Sequence, residues 1–172
     1  ESIFSLGNIG FKPILAITSG DGKNSFGVLS NDTDQGGLKY GGRLNIYPFG
    51  FFRENNEFIG HDIYKEKSHK LMIGFSSSLN QGSSHSVGEG HYFQELPPNG
   101  TFMFFDTNGN LKLPNYLKNY VDILYKYKGF NILFEYVNTA AYNLKGTSLN
   151  SAGSLLLAPT QISQYFILGN AF

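Results

Sequence analysis

Residues 120–138 read YVDILYKYKGFNILFEYVN, two runs of alternating character joined by Lys128-Gly129. Side chains of a strand point to opposite faces with a period of two, so this stretch predicts a β-hairpin. A two-residue turn sets the pairing. Tyr127 then opposes Phe130, Tyr125 opposes Ile132, Ile123 opposes Phe134 and Val121 opposes Tyr136, which makes one face wholly apolar and aromatic. The reverse face pairs Lys126 with Asn131, Leu124 with Leu133 and Asp122 with Glu135. A slip of one residue would mix the faces, so turn and pattern agree on a single register. Directly opposed carboxylates are unfavourable unless cations or water relieve them, and a dry core supplies neither. The reverse face is therefore expected to be a wet wall. Lys39, Arg43, Lys70, Lys118 and Lys126 are its expected cations, with Asp122 and Glu135 as counter-charges. The plainer alternative is the solvent side of a soluble sheet, which alternates in the same way.

Related alternation recurs elsewhere. GFKPILAIT (10–18), GLKYGGRLNIY (37–47), HKLMIGFSSSL (69–79) and QISQYFILGNAF (161–172) read as further strands, six in all with the hairpin. Pro13 suits a strand terminus or an edge. In the second strand Leu38, Tyr40, Leu44 and Ile46 share one face, and Lys39, Arg43 and Asn45 the other. In the third, Leu71, Ile73 and Phe75 lie opposite Lys70, Met72, Gly74 and Ser76. No useful helical period occurs. The connections at 19–36, 80–116 and 138–160 are long, whereas Lys128-Gly129 is minimal. Long loops at one end and short turns at the other are the habit of outer-membrane barrels. The link at 48–68 falls on the short side yet is long.

Composition narrows the choice. Charged residues make up 15% of the chain, against about 25% in soluble domains, while Phe and Tyr number 16 and 11. No apolar run approaches the roughly 18 residues of a membrane helix. A closed barrel of alternating strands is the construction that spans a bilayer without one. Aromatics at strand ends (Tyr127, Phe130, Tyr47, Phe49, Tyr136) suit its interfacial girdles. Zero net charge gives no basic field for nucleic acid, and the lack of cysteine excludes disulfides and thiolate metal sites.

Other clusters read as ordinary loop chemistry. His85, Glu89 and His91 could hold zinc or copper, but loop polarity explains them more simply. SNDTDQGG (30–37) and DTNGN (106–110) are pieces of calcium loops that turn propensity accounts for. The apolar run in GTFMFFDTNGN (100–110) is either a loop folding inward or an extra hairpin beyond the membrane, the hairpin being the simpler. No nucleophile, base or carboxylate constellation stands out, so no enzyme, metal or cofactor is expected.

Three stretches, YGGRLNIYPFG (40–50), KLMIGFSSSLN (70–80) and NYVDILYKYKGFNILFEYVN (119–138), in that order resemble the phosphate-selective porin O/P-like outer-membrane proteins of the Bacteroidetes type. In that pattern one strand ends NPFG at the periplasmic rim, where this chain has IYPFG, and a later strand opens KLxIG before a short-turn hairpin. The resemblance covers about residues 37–172. It implies an antiparallel transmembrane β-barrel, usually trimeric, passing small anionic solutes along a Lys- and Arg-lined pore. Family members are longer. Residues 1–172 are thus expected to form one barrel segment of six to eight strands, internal to a longer chain, with long extracellular loops. The expected function is an outer-membrane porin for small, phosphate-like solutes, acting by passive diffusion. Its expected partners are outer-membrane lipid, small solutes and a homotrimer or larger complex. The alternatives are a docking barrel of a larger outer-membrane assembly and a soluble carbohydrate-binding β-sandwich that uses its tyrosines as stacking platforms.

Overall fold

The hairpin that dominates the sequence is also the longest pairing among the described residues. β5 (Asn115–Tyr127) and β6 (Phe130–Tyr142) run antiparallel, with Tyr127 opposite Phe130 and Asp122 opposite Glu135. All seven pairings read from the turn are present. Lys128 (φ 50°) and Gly129 (φ 92°) both take positive φ, the type I′ geometry whose twist matches the flanking strands.

The computed structural model describes residues 2–18, 38–82, 104–110, 112–148, 152–165 and 168–171. Within them, seven strands form one antiparallel sheet in sequence order. The others are β1 (Phe4–Leu6), β2 (Ile9–Thr18), β3 (Lys39–Tyr47), β4 (Lys70–Asn80) and β7 (Gly169–Ala171). The sheet is a meander with β1 and β7 at its two edges, and it is not closed. Among the described residues no helix is long and apolar enough to cross a membrane, which leaves crossing by strands open.

One element is additional and one expected element differs. β1 is an additional strand, and its three residues are too few to show a period. Residues 161–172 do not form one strand. Pro159–Ile162 is a helical turn (α1), Ser163–Tyr165 continues it as a 3-10 turn, and among the described residues of this stretch Gly169–Ala171 pairs with β6. Proline is pre-shaped for the first helical turn, and the Ala158 amide donates to Gln161 Oε1 at 2.8 Å, so the backbone there is committed to helix.

Register sorts the side chains into two faces. Gly10, Lys12, Ile14, Arg43, Asn45, Met72, Gly74, Ser76, Tyr120, Asp122, Leu124, Lys126, Leu133 and Glu135 share the inward face. Leu15, Ile17, Leu44, Phe75, Val121, Ile123, Ile132 and Phe134 share the outward one. The outward row is apolar and stands open: Leu15 is 89% exposed, Ile132 52% and Phe134 48%. No described element packs on it.

Packing is concentrated at the two ends of the inward face. At the short-turn end, Tyr47, Met72 and Leu124 bury against Phe51 and Phe52 of the link between β3 and β4. At the other end, Phe104, Leu113, Tyr116 and Ile162 form a second cluster. The described loop residues here form a hairpin-like turn, with Lys112 N–H donating to Phe104 O and Asp106 N–H to Asn110 O, both at 2.8 Å. Its Phe104 side chain is fully buried beside the inward-facing Tyr116.

Candidate functional site: the inward face and its cap

The centre of the inward face is an ion pair between strands that are not neighbours. Arg43 on β3 and Asp122 on β5 are separated by β4, yet Arg43 Nη2 lies 2.7 Å from Asp122 Oδ2. Gly74 sits between them, and a Cβ there would come within 2.5 Å of both partners. The absent side chain is the condition for the bridge. Arg43 thus supplies the cation expected beside the opposed carboxylates. Glu135, across from Asp122, makes no hydrogen bond or ion pair among the described residues.

The remaining expected cations have different surroundings. Lys39 lies on the same face toward the long-loop end of β3, and Lys118 Nζ stands 5.4 Å from the centre of the Tyr116 ring. Lys70 Nζ donates to Phe49 O at 2.9 Å. Lys126 differs from expectation. It faces inward, but it is fully buried beneath the link and does not line a wet wall. Its ammonium donates to the carbonyls of Asn56 (2.7 Å), Ile59 (2.6 Å) and His61 (3.0 Å).

Those bonds explain why the link at 48–69 is long at the short-turn end. It folds back as a cap over that end of the inward face. Glu54 and Asn55 both take positive φ to turn it, and Lys12 Nζ pairs with Glu57 Oε1 at 2.8 Å to hold it. Asp62 ties the cap to the hairpin turn, accepting from Gly129 N–H at 2.6 Å and from Asn56 Nδ2 at 2.7 Å. Burial pushes the Asp62 carboxyl up, but the bonds from Gly129, Asn56 and Glu66 and the charge of Lys126 outweigh it. Its pKa falls below the ordinary carboxylate value. Tyr47, expected in an interfacial girdle, is instead buried on the inward face under this cap. The outward rim at that end is built by Tyr125, Tyr127 and His69, with the His69 ring stacked 4.1 Å from Tyr127 and its Nδ1 2.6 Å from Tyr125 Oη.

Beside the cap lies a cavity of about 550 Å³, walled by the sheet and by Glu57–Gly60 of the link. Arg43, Asn45, Glu57 and Glu135 bring the polar groups to it. Sequence reasoning singled out Arg43 and Glu135. The period of β3 put Asn45 on the same wall; Lys12 was missed, although the register sets it opposite Asn45, and nothing local marks Glu57, which reaches the site only because the link folds back.

Residues His85, Glu89, His91 and 30–37 lie outside the described residues. DTNGN at 106–110 is turn chemistry: Asp106 Oδ2 accepts from the Asn110 side-chain amide (3.2 Å) and Oδ1 from the backbone amides of Asn110 (2.9 Å) and Asn108 (2.8 Å), and these bonds lower its pKa. Among the described residues no group of three or more potential metal ligands converges. Comparison with protein-family models, curated proteins and solved structures finds no match to this chain.

Proposed function

We propose that this chain forms part of the wall of an outer-membrane β-barrel porin through which small solutes diffuse passively. One observation carries the reading: an outward row of exposed Leu, Ile and Phe crosses the sheet, while the reverse side holds an ion pair and an open carboxylate. Exposed apolar patches beyond a few hundred Å² mark a membrane or a partner surface. A soluble sandwich would need a second layer on that row.

Three further features support the barrel. β2 to β6 run from 9 to 13 residues, bracketing the 9–11 that a tilted strand needs to span the hydrocarbon. The turn after β1 and the turn after β5 are short, and they fall at the same end of the sheet. At that end the cap folds inward, so it leaves the outward rim to Tyr125, Tyr127 and Phe130. Closure would come from strands beyond β1 and β7.

Solutes would pass a wall whose fixed charges nearly cancel. Lys126 is covered and Arg43 is neutralised by Asp122, which argues for weak selectivity rather than a dense basic ladder. The test is reconstitution of the full chain in planar bilayers. Channel steps are expected, and Arg43→Glu is expected to move the reversal potential toward cation preference. Absence of any conductance, or a protein that stays soluble without detergent, overturns the porin reading.

The covering of both ends of the inward face favours a second reading, a plugged barrel that docks partners in a larger outer-membrane complex. Co-purification at fixed stoichiometry without conductance would select it.

A further inference from the structure

We propose that the outward rim at the short-turn end binds the headgroup of an anionic phospholipid, with Lys65 and Lys128 as its cations and Tyr125, Tyr127 and His69 as its platform. The proposal rests on the reading that the outward row meets acyl chains, and it names the class of lipid in that contact.

Tyr127 is the centre of the site. It is the last outward residue of β5, opposite Phe130. The His69 ring lies on it at 4.1 Å with 14° between the planes, and Lys128 Nζ stands 5.0 Å from its ring centre. His69 Nδ1 is engaged by Tyr125 Oη at 2.6 Å, so Nε2 is the ring nitrogen left to face a ligand. The cap brings the second lysine. Lys128 N–H donates to Glu66 O at 2.9 Å and Gly129 N–H to Asp62 Oδ2 at 2.6 Å, which docks this part of the cap on the hairpin turn. The Lys65 stem then lies close to Gly129, where a Cβ would stand 3.9 Å from Lys65 Cγ. Lys65, His69 and Lys128 are all exposed.

Charge is separated across this end. The carboxylates of the same segment are withdrawn: Asp62 and Glu66 are buried, held by Asn56 and by the amides of Arg53 and Gly129. Lys65 and Lys128 make no ion pair among the described residues. An exposed lysine alone is merely solvated. These two stand at the end of an exposed apolar row, which continues from the rim through Phe130, Ile132, Ile123 and Phe134. The ligand that matches both features is an amphiphile with an anionic head and aliphatic tails. A free anion would meet the cations and leave the row bare. A zwitterionic lipid would bring its own ammonium beside the lysines. Tyrosine rings suit headgroup depth, lysine stems lie along apolar surface while their ammonium groups reach the phosphates, and each lysine gains from an anionic surface.

The test is titration of the folded full chain in micelles of a zwitterionic detergent, following the His69 ring protons by NMR. Dihexanoylphosphatidylglycerol is expected to shift them saturably, and dihexanoylphosphatidylcholine to bind at least about tenfold more weakly. The double variant Lys65→Asn, Lys128→Asn is expected to weaken phosphatidylglycerol binding about tenfold. Both positions have positive φ, which asparagine tolerates, so the turns are kept. Lys145→Gln, at the long-loop end, is expected to bind as the parent does. Equal binding of the two lipids overturns the proposal, as does a double variant that binds phosphatidylglycerol unchanged. Inorganic phosphate binding as tightly as phosphatidylglycerol would show an anion site that ignores the apolar row, and overturns it too. A chain that conducts but shows no lipid preference sinks this proposal alone. A chain that keeps the preference without conducting sinks the porin reading alone.

Discussion

Gly74 makes room for the Arg43–Asp122 bridge, which passes over the place where its side chain would be. Gly74→Val should displace Arg43 and leave Asp122 and Glu135 opposed without a cation. The expected cost is about 1–3 kcal/mol, read as a lower midpoint in urea unfolding from micelles, and a midpoint equal to the parent would show that the bridge is incidental. Asp62 makes a second prediction at this scale. Its pKa is depressed in the folded protein, so its contribution is complete above the ordinary carboxylate range, about pH 4. It is lost as pH falls through the lower, folded value. Hydrogen exchange at the Gly129 amide, which donates to Asp62, should therefore hold its protection down to that range and lose it in stronger acid. Asp62→Asn should remove the pH dependence. Loss of protection already at neutral pH would contradict the assignment.

At the scale of elements, the hairpin and the cap are coupled. The type I′ turn sets the β5–β6 register, and the cap is fastened to that turn by Asp62 and to β5 by Lys126. The Lys126 ammonium occupies a cage of carbonyls much as a bound cation would. Lys126→Met would leave three carbonyls without their donor in a buried place. A cost of about 2–4 kcal/mol to the cap is expected, measured as faster trypsin cleavage at Arg53 and Lys65 while the strands stay protected. An unchanged cleavage rate would mean that Glu57 and Asp62 hold the cap without it. The hairpin register could be read from sequence because the turn and the alternation are both local. The cap could not, since it is held by contacts between residues far apart in the chain, 45 positions for Glu57 with Lys12 and 70 for Asn56 with Lys126.

For the whole molecule, what matters is which face meets lipid. Phe134 and Ser76 lie on opposite faces of the sheet. If the outward row contacts acyl chains, Phe134→Arg should cost about 2–4 kcal/mol near the bilayer midplane, whereas Ser76→Arg on the inward face should be tolerated. Folding yield into lipid vesicles, scored by heat-modifiable gel migration, separates the two. Equal tolerance of both would leave no reason to place that row in a bilayer.

Period-two alternation and the Lys128-Gly129 turn were enough to assign β2 to β6, the faces of β3 to β6 and the β5–β6 register, because those preferences act between near neighbours on the chain. They were also enough to place Arg43, Asp122 and Glu135 on one wall. Alternation says nothing about what covers a face, so the burial of Lys126 and Tyr47 emerged only when the link closed over them. The same holds for the helical turn at Pro159–Ile162, whose Ile162 answers to packing in the cluster of Phe104 and Tyr116 rather than to strand pairing. Local sterics set each strand, whereas the charge balance of the cavity depends on contacts that exist only once distant segments meet.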